Sequence, residues 1–204
     1  NTPVDLLITN CASAAMVGNV GLPAFATWNS VSISSNSLFA LSPGAGSFRF
    51  AVTSNLDLQA GGAIMLDGQG SAVNTGSGPG NKGGGGGHGG LGSAANGNSG
   101  GGTSYDTIQA PVLPGSGGGS SNVTSGSAGG GALQMTVNGA CKVNGIISAN
   151  GDAANTAGAG GGSGGSLYLT VGTLSGNGKI LANGGNGDLF TSGGGGGGRI
   201  ALLF

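Results

Sequence analysis

In the last two-thirds of this chain no apolar segment runs for more than a few residues before glycine interrupts it, and the interrupted segments recur. GGALQMTV (130–137) aligns with GGSLYLTV (164–171) and with GGRIALLF (197–204), at offsets of 34 and 33 residues. Offsets of this size mark a repeat architecture, in which each unit buries its apolar face only by stacking on the next. A second echo sits inside each period: GIISANGD (145–152) matches KILANGGN (179–186), with GAIMLDGQ (62–69) an earlier relative. Asn-Gly pairs begin at 138, 144 and 150, and again at 177 and 183, so neighbouring corners are six residues apart. Asn and Gly take positive φ more readily than other residues, so these pairs are expected to supply left-handed corners between short strands.

Helix is excluded on composition: glycine supplies 52 of 204 residues and costs about 1 kcal/mol per helical position, while all six acidic residues are Asp. Disorder is disfavoured, because the net charge is only -1 and the apolar residues gather in runs rather than being diluted. Residues 1–60 are poor in glycine, and VSISSNSLFAL and SFRFAVTSNLDL alternate apolar with polar as half-buried strands do. The expected fold is therefore all-β. A strand-rich N-terminal segment, 1–60, serving as cap or assembly strand, precedes a parallel β-helix or β-solenoid with glycine-rich coils over 61–204. Leu133, Met135, Val137, Val143, Ile146, Leu167, Leu169 and Val171 would line its interior. Polyproline II packing of the glycine stretches is the local alternative. It ranks second because such a bundle wants glycine at every third position, a register that GNKGGGGGHGG does not keep.

Charge excludes further classes. With five Lys or Arg residues and no basic stripe, nothing is present to displace counterions from a nucleic-acid backbone. No apolar run approaches the roughly 18 residues of a membrane span. Cys11 and Cys141 form an even pair without metal-type spacing, and Asn122-Val123-Thr124 is an N-glycosylation sequon in a Ser/Gly stretch. Together they suit an extracellular or cell-surface setting, with Cys11 and Cys141 as a disulfide, within or between chains, and two separate buried thiols as the alternative.

The ordered pieces LDGQG, GGGGGHGGLGS, Tyr105 with APVLPGSGGG, GGGALQMTVNG, GIISANG, GAGGGSGGSLYLTVGTLSGNGKILANGGNG and GGGGGGRIAL cover 61–204. In these the chain resembles glycine-rich repeat regions of large cell-surface and secreted proteins of plants, protists and bacteria. The resemblance implies a parallel β-helix-like array outside the cell, with no catalytic role and no ligand attached to the motif.

Candidate chemistry is thin. His88 in Gly-His-Gly and the pair Arg199-Ile200 echo short motifs of pectin-cleaving β-helix hydrolases, but those enzymes need clustered Asp residues, and here the Asp residues stand singly. His88 is instead expected at a corner, exposed or bonded to glycine backbone. A single His without Glu offers one base and no orienter for a nucleophile triad. The stretch Gly184–Leu189 resembles a calcium-binding nonapeptide, but Asp188 comes one residue early and the motif is not repeated. Asp67 and Asp152 are expected to accept backbone N–H groups at turns. No glycine run continues into Lys-Ser/Thr, which excludes a phosphate loop. Neither a catalytic residue, a metal ligand nor a cofactor is assigned.

Both ends of the sequence are apolar. Val4, Leu6, Leu7 and Ile8 near the start, and Ile200, Leu202 and Phe204 at the other end, are expected to join copies head to tail into a fibre or sheath. The function expected is that of an extracellular structural or adhesive surface protein. Its partners would be copies of itself and surface glycans. The alternative is a carbohydrate-binding or carbohydrate-cleaving β-helix, for which Tyr105, Tyr168 and Phe190 are few platform residues. Ice binding ranks lower still, since Thr136 and Thr170 have no third counterpart.

Overall fold

The computed structural model describes residues 3–9, 13–16, 25–41, 46–96, 100–121, 124–188 and 191–204. Among them are strands and no helix, and so no helix long and apolar enough to cross a membrane. The strands follow the alternating segments: β1 (Leu6–Ile8), β2 (Ser13–Met16), β3 (Ala26–Trp28), β4 (Val31–Ile33), β5 (Leu38–Leu41), β6 (Ser47–Val52), β7 (Leu56–Leu58), β8 (Ala63–Met65), β9 (Ala132–Val143), β10 (Ile146–Ser148), β11 (Ser166–Ser175), β12 (Lys179–Leu181) and β13 (Arg199–Leu203).

They pair in parallel in two sheets. One has eight strands and runs β1-β4-β7-β9-β11-β13, with β6 beside the first half of β9 and β3 beside β6; the other runs β12-β10-β8-β5-β2. The repeat offsets are the pairing registers. Leu167 lies opposite Leu133 on one side and Ile200 on the other, while Ile147 lies opposite Ile64 and Ile180. Side chains of like kind therefore stack in columns such as Phe50–Met135–Leu169–Leu202 and Leu6–Val31–Leu56–Cys141–Leu174. The two sheets share one core: Phe39 of β5 meets Trp28, Phe48 and Phe50 of the larger sheet edge to face, with centroids 5.9–6.1 Å apart. Ile146 departs from the expected interior set. It is 41 % exposed, and Ile147 beside it is fully buried, because successive strand residues face opposite sides.

The expectation of a glycine-coiled β-solenoid is corrected. Among the described residues no closed solenoid is shown: the strands make two parallel sheets, and the described residues of 66–131, 149–165 and 182–198 contribute none. These glycine segments pack on one another instead. Along the buried stretch 160–165 the donors turn in rotation: Gly160 and Ser163 bond to Gly119 O and Ser116 O, Gly161 and Gly164 to Gly193 O and Gly196 O, and Gly162 and Gly165 to Asp152 O and Ala149 O. A direction that returns every third residue is the threefold turn of a polyproline II chain, whereas a strand alternates every second. Glycine has no side chain with which to fill a coil interior, so the backbones close on each other until their own hydrogen bonds are made.

That arrangement also explains the unbroken runs. Glycine at every third position suits a chain crowded on one side, but 160–165 is hemmed in on three. A Cβ at Gly161, Gly162, Gly164 or Gly165 would overlap the carbonyl oxygens of Gly185, Ala128, Ala182 and Gly131 respectively.

The corners differ from expectation as well. None of the Asn residues at 138, 144, 150, 177 or 183 has positive φ; among the described residues the non-glycine ones that do are Asn36, Asn74, Lys82 and Asp106. The Asn side chains act between layers instead. Asp67 Oδ1 accepts Asn150 N–H at 2.7 Å, Asn150 Oδ1 accepts Asn183 N–H at 2.8 Å, and Asn144 Oδ1 accepts Asn177 N–H at 3.4 Å. The corners at Asn150, Asn177 and Asn183 are thus capped by side chains of the layer below, and left-handed backbone is not required there.

Candidate functional site

The densest side-chain chemistry surrounds His88, which the run GGGGGHGG carries into the middle of the glycine bundle. The crowding that excludes side chains from its neighbours leaves His88 with no solvent exposure. Its Nδ1 lies 2.8 Å from Gly164 O; a carbonyl only accepts, so Nδ1 carries a proton and donates. Its Nε2 faces Asp106 Oδ2 at 3.5 Å and Ser166 Oγ at 3.4 Å. The imidazole stacks on the Tyr105 ring with centroids 4.6 Å apart.

Asp106 heads the segment 106–114, and its φ of 69° turns the chain out of the bundle. Its carboxylate gathers the segment around it: Oδ1 accepts Thr107 N–H, and Oδ2 accepts Val112 and Leu113 N–H, both at 2.9 Å. Ser166, at the start of β11, donates to Leu113 O at 2.7 Å and lies 3.2 Å from Asp106 Oδ2. Tyr105 donates its hydroxyl to Pro114 O and accepts from Ser116 Oγ, while Ser163 Oγ accepts Ser116 N–H. Arg199 of β13 donates from Nε to Tyr105 O. One polar cluster thus ties together the segment 83–92, the hub 160–166, the segment 105–116 and an edge strand.

Burial sets the electrostatics. It pushes His88 below the usual imidazole range; the bond to Gly164 and the Asp106 carboxylate pull upward against it, and Arg199 adds to the depression. Asp106 is also desolvated, but the N–H groups of Leu113, Thr107 and Val112 outweigh that and hold its carboxyl below the ordinary value. Burial pushes Tyr105 up to about 12.

Ser, His and Asp meet here, yet not as a nucleophile relay. A relay places the carboxylate on one imidazole nitrogen and the hydroxyl on the other, whereas Asp106 and Ser166 both face Nε2, and Nδ1 is committed to backbone. Ser166 is buried and its proton goes to Leu113 O. The arrangement can hold a loop on a bundle and register a proton. His88 is bonded to crowded glycine backbone, deep in the bundle rather than at a corner. Reasoning from sequence missed Asp106, Ser166, Ser163 and Ser116. Asp106 lies beside Tyr105, the one aromatic in the central glycine-rich stretch, and that adjacency was the available signal.

The other candidates lie apart. Asp188 is occupied by Gly158, Thr191 and Ser192 N–H groups and by the Thr191 hydroxyl, which together hold its carboxyl far below the ordinary value. Asp67 caps Asn150 as described, while Asp152 lies against the Gly68 backbone; burial, and then Asp67, raise its carboxyl. Among the described residues no three His, Cys, Asp or Glu side chains converge as a metal site would require. Cys141 is a buried free thiol in β9, and Cys11 lies outside the described residues, as do Asn122 of the sequon and Phe190. Of the residues assigned to assembly, Ile8 is buried and Leu6 packs on the core, whereas Val4, Leu7, Ile200, Leu202 and Phe204 are exposed.

No family model matches this chain, and neither a curated protein nor a solved structure does.

Proposed function

We propose that the chain is an extracellular structural or adhesive surface protein whose copies join head to tail, through its apolar edges, into a fibre or sheath. The observation that carries this reading is the state of β13. Ile200 and Leu202 stand in register on the fully buried Leu167 and Leu169, so they continue two core columns, yet they are 43 % and 39 % exposed. Among the described residues strand β13 pairs with β11 alone, which leaves a row of backbone groups open along its other side. The opposite edge of the same sheet is β1, which carries exposed Leu7 and is preceded by exposed Val4. A parallel sheet whose two edge strands have no further partner among the described residues can accept a like sheet at either, and apolar columns reward the addition by about 25 cal/mol per Å² covered. The extracellular setting rests on the sequon and the composition.

Negative-stain electron microscopy of the purified chain at neutral pH tests the proposal. Filaments with a regular axial repeat are expected, and Leu202→Asp is expected to abolish them. Discrete particles at every concentration would overturn the reading.

A further inference from the structure

We propose that His88 is an acid sensor whose charge is read by the segment 107–113 through Asp106. The segment displays Ile108, which is 72 % exposed, and Val112 and Leu113 are exposed as well. Beside the Ser166 bond to Leu113 O and the Tyr105 bond to Pro114 O, its returning end is held by Asp106 Oδ2, which accepts both Val112 and Leu113 N–H at 2.9 Å.

The proton has one place to go. Nδ1 already donates to Gly164 O, so protonation occurs at Nε2, and the new N–H points at Asp106 Oδ2 and Ser166 Oγ. Ser166, which donates to Leu113 O, keeps lone pairs with which to accept, but it is neutral, and the negative carboxylate of Asp106 is the stronger acceptor for a charged donor. A carboxylate oxygen has two lone pairs, and both on Oδ2 are in use. The imidazolium is a charged donor and therefore the stronger competitor, so it displaces a backbone N–H and loosens the segment at Val112 and Leu113.

The surroundings of His88 set the range. On its own segment, 83–92, no other residue titrates, and the hub 160–166 contributes only glycine and Ser163 and Ser166. The segment 105–116 contributes Asp106 and Tyr105, and β13 contributes Arg199. Burial outweighs the Asp106 attraction, so the sensor responds on the acid side of an ordinary histidine.

His88 is the sole histidine of the chain, so its ring resonances can be followed without assignment ambiguity. The experiment is an NMR titration of the full chain from neutral to mildly acid pH, with hydrogen exchange measured at Val112 and Leu113. With the intrinsic pH dependence of amide exchange divided out, protection at both amides is expected to fall by about tenfold, the loss of one hydrogen bond, with the midpoint of the His88 ring. Unchanged protection through that midpoint overturns the proposal. So does a change that follows only a carboxylate midpoint, since Asp106 alone would then account for it. In His88→Gln the step should vanish; its persistence would equally overturn the idea, and the unsubstituted titration decides the matter where the variant does not fold.

Discussion

Replacing Gly165 by Ala tests whether the glycine bundle is held by direct backbone contact. The added methyl would lie 2.6 Å from Gly130 O and closer still to Gly131 O. Neither oxygen is free to move: Gly130 O accepts Gly115 N–H at 2.8 Å, and Gly131 O accepts Ser166 N–H at 3.2 Å. Relief therefore requires overpacking strain of about 1–3 kcal/mol and the loss of one or two buried hydrogen bonds at about 1 kcal/mol each. The sum, roughly 2–5 kcal/mol, is a large share of a domain's stability of about 5–15 kcal/mol. For a chain of this length it lowers the melting temperature by roughly 10 °C. Gly197→Ala is the matched control. The atom nearest to its Cβ would be Ala182 O at 4.0 Å, and its φ is not left-handed, so a change within about 0.5 kcal/mol is expected. Thermal and urea unfolding followed by circular dichroism measure both. If Gly165→Ala melts with the unsubstituted protein, or if the two variants lose equal stability, the close-packed bundle is refuted.

Leu169→Ala, in the middle of a buried column, should cost about 2–5 kcal/mol in urea unfolding, against about 1 kcal/mol or less for Leu203→Ala, which is 38 % exposed; equal losses would count against the columns. Burial pushes the Cys141 thiol up to about 11, so iodoacetamide at pH 8 should leave the Cys141 peptide unmodified in the native protein and alkylate it after denaturation. Tyr105 has its native value raised to about 12, whereas an unfolded tyrosine ionises near 10. The unfolded chain therefore loses its proton first, and stability should fall as pH rises above about 10. Tyr105→Phe should remove that contribution while losing the bonds to Pro114 and Ser116, read as a flatter alkaline limb on a lower plateau.

Much of the sheet architecture was legible in the sequence. The offsets of 34 and 33 residues between GGALQMTV, GGSLYLTV and GGRIALLF are the registers in which β9, β11 and β13 pair. Alternation places Leu133, Met135 and Val137 on the buried face. Ile146 was assigned to the wrong face because GIIS puts two equivalent residues side by side and only the pairing with Ala63 and Lys179 chooses between them. The Asn-Gly corners were visible, but that their side chains cap the next layer was not, since an acceptor 33 residues away leaves no local trace.

What the sequence determined by itself is where side chains carry a period: strand positions, registers and apolar columns follow from alternation and repeat. What only the tertiary structure decided lies where side chains are absent or far apart. A run of glycines looks the same in every phase, so nothing local states whether its donors alternate or rotate by thirds; the packing of Gly160–Gly165 against three neighbours settles it. Asp106 and Ser166 lie 18 and 78 residues from His88, and they meet because chains without side chains approach closely enough to bring distant polar groups into one buried cluster.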